Sequence, residues 1–394
     1  MRVAFLTAGG IAPCLSASIG ALIKEYLKSD ENFDFIGYLN GYKGLLKGNK
    51  IEIPKDVDFR KLNTFGGSFL GNSRVKLTNV DDCVKNNYIN SGEIPLQVAA
   101  NQLKKDKVDI LHTIGGDDTN TTAGDLVKFL SSENYKLAVV GLPKTIDNDV
   151  TPIEQTLGAY TAAEHTAIFF RNIVNENTTS YRQLIIHEVM GRNCGWLTAY
   201  SAYLYRQSLN HKNFIPELQI HQNKWDVHAV YIPELEFDLD LEVKRLNKVM
   251  DKFDCVNIFL SEGAGLDNII SEKTNNGEQI PKDAFGHVRL DEINPGQWFA
   301  QYFKGKLNCD KVLVQKSGYF ARSASPNDLD LKLIEDSASI AVDSALLQNS
   351  GVAGLRNDTK TIELIDFNEI KGGKKFNPST KWFQKMLKEI KATY

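Results

Sequence analysis

Four carboxylates stand in two short clusters of this chain, and each cluster carries neighbours suited to phosphate chemistry. In GGDDTN, residues 115–120, Gly115 and Gly116 let backbone approach an anion closely, and Asp117 can hold a Mg2+ that bridges two phosphate groups. Asp118 is unexpected there, because carboxylates and phosphates repel. Either a cation separates them, or this carboxylate occupies a place where another enzyme admits a further phosphate. In PKTIDND, residues 143–149, Asp147 and Asp149 are two apart, so an extended segment points both the same way, with Lys144 close enough to offset developing negative charge. One carboxylate can then accept a hydroxyl proton while the other orients it or a metal. In MGRNCGWL, residues 190–197, Arg192 is expected at the start of a helix, where its fork could grip a phosphate or a sugar hydroxyl. YFARSASP, residues 319–326, offers Tyr319 and Arg322 on one expected loop.

These clusters need strands to hold them, and the sequence supplies strands at the right places. The apolar runs RVAFLT (2–7), VDILHTI (108–114), KLAVVGL (136–142), QLIIHEV (183–189) and VNIFLS (256–261) each end where a polar cluster begins. Continuous apolar strands suit parallel sheets covered on both faces, and ligands of open α/β sheets bind at the carboxyl ends of strands. Alternation with helical patterns at 15–27 and 329–347 completes an α/β architecture. The expected fold is two doubly wound, Rossmann-like lobes with largely parallel sheets around an active-site cleft. A first lobe over 1–145, completed by 255–305, would carry the phosphoryl donor, and 146–254 with 306–394 would carry the sugar phosphate. Residues 43–64 and 265–286 are expected as surface excursions. After the first strand, Gly9 and Gly10 form a turn at a helix N-terminus, where free N–H groups and the dipole favour phosphate.

Composition narrows the function classes. The 394 residues carry a formal charge of −3, which gives no general attraction to nucleic acid or anionic membranes. No apolar stretch approaches the length of a membrane span. Five cysteines, with no CxxC pair, read as reduced thiols in a cytoplasmic protein. The basic C-terminal stretch GGKKFNPSTKWFQKMLKEIKATY reads as a docked helix.

Taken in order, GGDD, PKTIDND, MGR, the SEG glutamate of LSEGAG (260–265) and YFAR, with the arginine loop FGGSFLGNSR (65–74), resemble the 6-phosphofructokinases, and within them the pyrophosphate-dependent branch. The resemblance implies reversible transfer from Mg-pyrophosphate to fructose 6-phosphate, with Mg2+ as cofactor and a homodimer or homotetramer as the assembly. It implies that Asp147 is the general base, supported by Asp149, with Asp117 on the metal and Lys144 and Arg192 stabilising the transferred group. Thr145, Ile146, Asp147, Met190, Gly191, Arg192, Glu262, Tyr319 and Arg322 are the implied sugar-phosphate contacts. Gly9, Gly10, Arg74 and Gly116 fall on the donor side. ATP-using relatives have glycine where Asp118 and Lys144 stand here, so Asp118 would repel a nucleotide's α-phosphate. The run GGIAPC departs from the family pattern at Ile11 and Cys14. Arg182 and Lys316 are the nearest equivalents of arginines that some relatives lend across a subunit interface. An ATP-dependent enzyme and a non-catalytic regulatory subunit are the alternatives that the resemblance leaves.

Overall fold

A computed structural model describes residues 1–281 and 290–394. The chain divides into two compact units, one made of Met1–Ala162 with Arg322–Lys374 and the other of Ala163–Ala321 with Lys375–Tyr394.

The sheet of the first unit runs β12-β11-β5-β4-β1-β2-β3, where β1 is Arg2–Thr7, β2 Asp34–Tyr38, β3 Lys50–Ile53, β4 Ile110–Gly115, β5 Ala138–Pro143, β11 Gly351–Arg356 and β12 Ile362–Ile365. A short strand, β6 (Ile153–Gln155), pairs with β11. The five central strands, from β11 through β5, β4 and β1 to β2, are parallel, and β3 and β12 run antiparallel at the edges. Every residue of β4 and β5 is buried, as their unbroken apolar character requires when helices cover both faces.

The second unit holds a four-stranded parallel sheet in the order β10-β7-β9-β8, with β7 at Gln183–Val189, β8 at Ala229–Tyr231, β9 at Cys255–Ser261 and β10 at Lys311–Lys316. Its core gathers Leu184, Ile186, Tyr231, Ile258, Phe299 and Phe303. The helix Lys381–Glu389 packs against the helix Trp196–Leu209, which agrees with a docked C-terminal helix.

This division departs from the expected one. The segment expected to complete the first lobe, 255–305, begins with β9, whose seven residues pair with β7 in the second sheet. Conversely, β11 and β12 return late in the chain to extend the first sheet. Residues 43–64 are also more ordered than expected, since they contribute the helix Tyr42–Lys47, β3 and a 3-10 helix at Phe59–Thr64. In 265–286 a helix forms at Leu266–Asn275, and 282–286 lies outside the described residues. Among the described residues no helix is long and apolar enough to cross a membrane.

Candidate active site

Strand order sets the first unit's site. The chain leaves β1 toward β2 on one side and returns to β4 on the other, so the order reverses between β1 and β4, where a doubly wound sheet opens a crevice. The loops after β1, β4 and β5 therefore emerge side by side. Gly9–Ala12, Gly116–Thr119, Lys144–Asp147, Asp149 and Arg322 line a cavity of about 200 Å³.

After β4 the chain turns into the helix Asp117–Ser132 with Gly116 as its N-cap, and Asn120 Nδ2 donates to the carbonyls of Gly115 and Gly116, both at 3.0 Å. Asp117 and Asp118 thus occupy the first turn, where the helix dipole favours negative charge. Asp118 is exposed, and its carboxylate meets Lys76 Nζ at 2.8 Å. Sequence reasoning missed Lys76, although it stands two residues past Arg74 in the same loop. Asp117 is approached by Gly372, where any Cβ would lie 2.0 Å from Asp117 Oδ2. Only glycine leaves that carboxylate its place.

After β5 the segment bends rather than extends. Asn148 takes a left-handed φ of 55°, so the same-side geometry expected of an extended Asp147–Asp149 pair does not hold, yet both residues line the cavity. Burial raises the Asp149 carboxyl above its ordinary range, and the nearby charge of Asp117 adds to the rise. Two oxygen donors that repel one another in this way suit a hard divalent cation, which takes one or two carboxylates from a protein when phosphate oxygens supply the rest. Lys144 is buried and its ammonium donates to the carbonyl of Gly10 at 2.8 Å. Burial pulls its pKa down to about 8, while Asp147 works in the opposite direction.

The loop after β1 is held by Gly9 N–H to the Ser73 carbonyl (2.9 Å) and by Arg322 Nε to the Ile11 carbonyl (2.9 Å). A Cβ on Gly10 would meet Arg322 at 2.0 Å, so this glycine admits the guanidinium to the wall. Ile11 therefore serves through its main chain. The expected free helix N-terminus is partly spent: the helix starts at Leu15, and the Ser16 N–H and hydroxyl both donate to the Gly67 carbonyl. Arg74 follows Ser73 on the neighbouring loop and is exposed, outside the cavity's lining.

The second unit gathers other expected residues. The helix after MGRNCG begins only at Trp196, with Gly195 as N-cap, so Arg192 lies exposed in the preceding loop and not at a helix start as expected. That loop is fastened at both ends. Glu234 accepts the Gly195 N–H on both oxygens (2.9 and 3.0 Å), and Ser261 Oγ donates to the Gly191 carbonyl at 2.5 Å. Glu262 accepts the Gly191 N–H at 3.4 Å, and burial raises its carboxyl above the usual range. Met190, Gly191, Arg192 and Glu262 are thus neighbours after β7 and β9. Tyr319 and Arg322 share a short helix, Gly318–Arg322, and not a loop; Tyr319 is 72% exposed. Arg182 is engaged locally, donating to the carbonyls of Leu307 and Asn308 and pairing with Asp251. Lys316 pairs with Glu188 at 2.7 Å.

The sequence profile of one family, described as phosphofructokinase, matches residues 2–345. The chain is 54% identical over 392 residues to the pyrophosphate--fructose 6-phosphate 1-phosphotransferase of Methylomonas methanica, covering 99% of this chain and 96% of the relative. It is 52% identical over 391 residues to the protein of the same name from Mastigamoeba balamuthi, covering 98% and 95%. Its fold is similar to the crystal structure of a pyrophosphate-dependent phosphofructokinase from Marinobacter aquaeolei, at a TM-score of 0.73 and 19% identity over 99% of this chain and 91% of that one.

Proposed function

Since the chain belongs to the phosphofructokinase family, we propose that it moves a phosphoryl group reversibly between pyrophosphate and the 1-hydroxyl of D-fructose 6-phosphate, giving fructose 1,6-bisphosphate and phosphate. Relatives that share about half of its residues carry the name of that reaction. Within the molecule, the observation that carries the reading is Asp118 in the wall of a small cavity that also holds Lys144 and Asp147. A carboxylate there disfavours a donor with a third phosphate, and Lys144 favours the charge of a departing phosphate.

In this reading Asp147 takes the proton from the sugar's 1-hydroxyl as that oxygen bonds to phosphorus and the bridging bond of pyrophosphate breaks. Lys144 and Arg192 balance the negative charge that gathers during transfer, which is the main requirement of phosphoryl transfer, and Arg322, assigned in the sequence to the sugar phosphate, lines the cavity beside Lys144 and can add to that charge. Thr145, Ile146, Met190, Gly191, Arg192, Glu262 and Tyr319 are assigned to the sugar phosphate, and Gly9, Gly10, Gly116 and Arg74 to the donor. Asp117 and Asp149 would hold Mg2+, which when bound supplies charge neutralisation across the phosphate oxygens. We place the enzyme in the cytoplasm, in keeping with five free thiols, and expect a homo-oligomer.

The test is the initial rate of fructose 1,6-bisphosphate formation with Mg2+ and either pyrophosphate or ATP as sole donor, together with the reverse reaction started by phosphate. Turnover with pyrophosphate and phosphate alone is expected. Asp118→Gly should lower the ratio of kcat/KM for pyrophosphate to kcat/KM for ATP by at least about tenfold, the worth of one repulsion of about 1.4 kcal/mol. Turnover with ATP and none with pyrophosphate would overturn the donor assignment.

A further inference from the structure

A short stretch from the far end of the chain, Lys371–Lys374, reaches the acid-bearing bend and has no part in the roles above. Its main chain pairs first. The Thr151 N–H donates to the Lys371 carbonyl at 2.7 Å, and the Lys371 N–H returns to the Thr151 carbonyl at 3.0 Å, as an antiparallel bridge. Three residues on, the Lys374 N–H donates to the carbonyl of Asp149 at 2.9 Å. The Lys374 ammonium then donates to the carbonyls of Ile153 (2.6 Å) and Glu154 (3.1 Å) and to Asn148 Oδ1 (3.3 Å).

Asn148 is the residue on which the bend turns. It separates Asp147 from Asp149, holds the left-handed φ, and is itself buried, with Oδ1 accepting the Thr156 N–H at 3.0 Å and Nδ2 donating to the Glu154 carbonyl at 3.2 Å. Asn takes a left-handed backbone more readily than other residues with side chains, and here its buried amide is tied to Thr156 and Glu154, so its neighbours fix the direction of the bend. An ammonium group is chemically suited to fixing it, because it offers three donors to three oxygen acceptors, and charge-assisted bonds are stronger than neutral ones. Lys374 is half-buried and stands outside the cavity's lining.

We propose that Lys374 is a positioning residue for phosphoryl transfer, acting through Asn148 and the main chain of 149–154 to fix the directions in which Asp147 and Asp149 present their carboxylates. The assignment rests on the function proposed above. Its effect is on rate more than on binding, because a misplacement of about 1 Å at a reacting group costs on the order of 100-fold.

The test uses the full chain with Lys374→Met and Lys374→Cys, the latter before and after alkylation with 2-bromoethylamine, which rebuilds a primary amine of nearly lysine length; alkylated wild type is the control. Expected are a 10- to 100-fold loss of kcat in both directions, a KM for fructose 6-phosphate within about threefold of wild type, and recovery of most of the rate on aminoethylation. A second measurement reads the device without activity: hydrogen exchange of the amides in 147–156 should be at least tenfold faster in Lys374→Met, with β4 and β5 unchanged. A kcat within threefold of wild type, a loss confined to KM, or unchanged exchange over 147–156 would each overturn the proposal. If the wild type fails to use pyrophosphate and fructose 6-phosphate, the functional reading falls, and the exchange experiment still decides whether Lys374 holds the bend.

Discussion

Lys144 shows how burial changes the protonation of an ordinary side chain. Surrounded by the Gly9–Ile11 turn and Arg322, its ammonium has a pKa of about 8, against an ordinary value of 10.5, and it is therefore charged below that pH and progressively neutral above it. In the role proposed for it the cationic form balances a departing phosphate, so kcat/KM for pyrophosphate should fall as pH rises through about 8. Lys144→Met should remove that alkaline limb and cost about 100-fold or more in kcat, the scale seen when a donor to developing charge is lost. A pH–rate profile that keeps its limb in the variant would dismiss this role. That Lys144, Asp147 and Asp117 converge on one cavity was legible in the sequence, because each sits in a contiguous cluster at a strand end. Lys76 and Lys374 were not, since their partners are distant in sequence: Lys374 and Asn148 are 226 positions apart. No local pattern encodes such a meeting.

Among the elements, strands buried on both faces were legible and the rest less so. β1 and β7 begin and end where the apolar runs do, and β4, β5 and β9 differ from them by a residue or two. The edge strand β3, KIEI, alternates with charge, so it resembled a polar excursion. The left-handed turn at Asn148 was likewise hidden, because an Asn flanked by two aspartates reads equally as extended chain. A helix of unusual dependence is Ala159–Ile173. Its N-terminal donors, the N–H groups of Gly158 and Thr161, go to the buried carboxylate of Asp330 at 3.0 and 2.8 Å, and the Thr161 hydroxyl joins them at 2.5 Å. A carboxylate that accepts such bonds in the interior is costly to remove, so Asp330→Ala should destabilise the first unit by about 2 to 4 kcal/mol. A urea midpoint unchanged from wild type would show that water or a neighbour takes over the donors.

For the whole molecule, acid should be more damaging than the modest net charge suggests. His112, His187 and His228 are buried, and burial lowers their pKa values to about 4, 3 and 4, below the ordinary 6.5. Neutral in the fold above those values, each gains a proton on unfolding once the pH is below 6.5. Stability is therefore untouched at pH 7.5 and declines from about 6.5 downward, by about 2 kcal/mol per histidine at pH 5. His187 is the clearest case: its ring stacks on Phe170, stands edge-on to Phe259, and finds no hydrogen-bond partner for either nitrogen among the described residues. His187→Phe should raise the urea midpoint at pH 5 more than at pH 7.5. Equal shifts at the two pH values would mean that the gain is packing alone.

The late return of β11 to β5 has a consequence for the chain as it is being made. Val139 N–H is satisfied by the hydroxyl of Ser350, 211 positions later, and β11 pairs with β5 from Gly351 onward. At ribosomal rates on the order of 5 to 20 residues per second, the outer edge of β5 waits roughly 10 to 40 seconds for its partner. An unpaired apolar edge is a template for strands of other chains. All of β7 to β10, the whole second sheet, is synthesised within that interval. The strands of the second sheet are thus all made before the last strands of the first, and until β11 arrives the outer edge of β5 is open to strands of other chains.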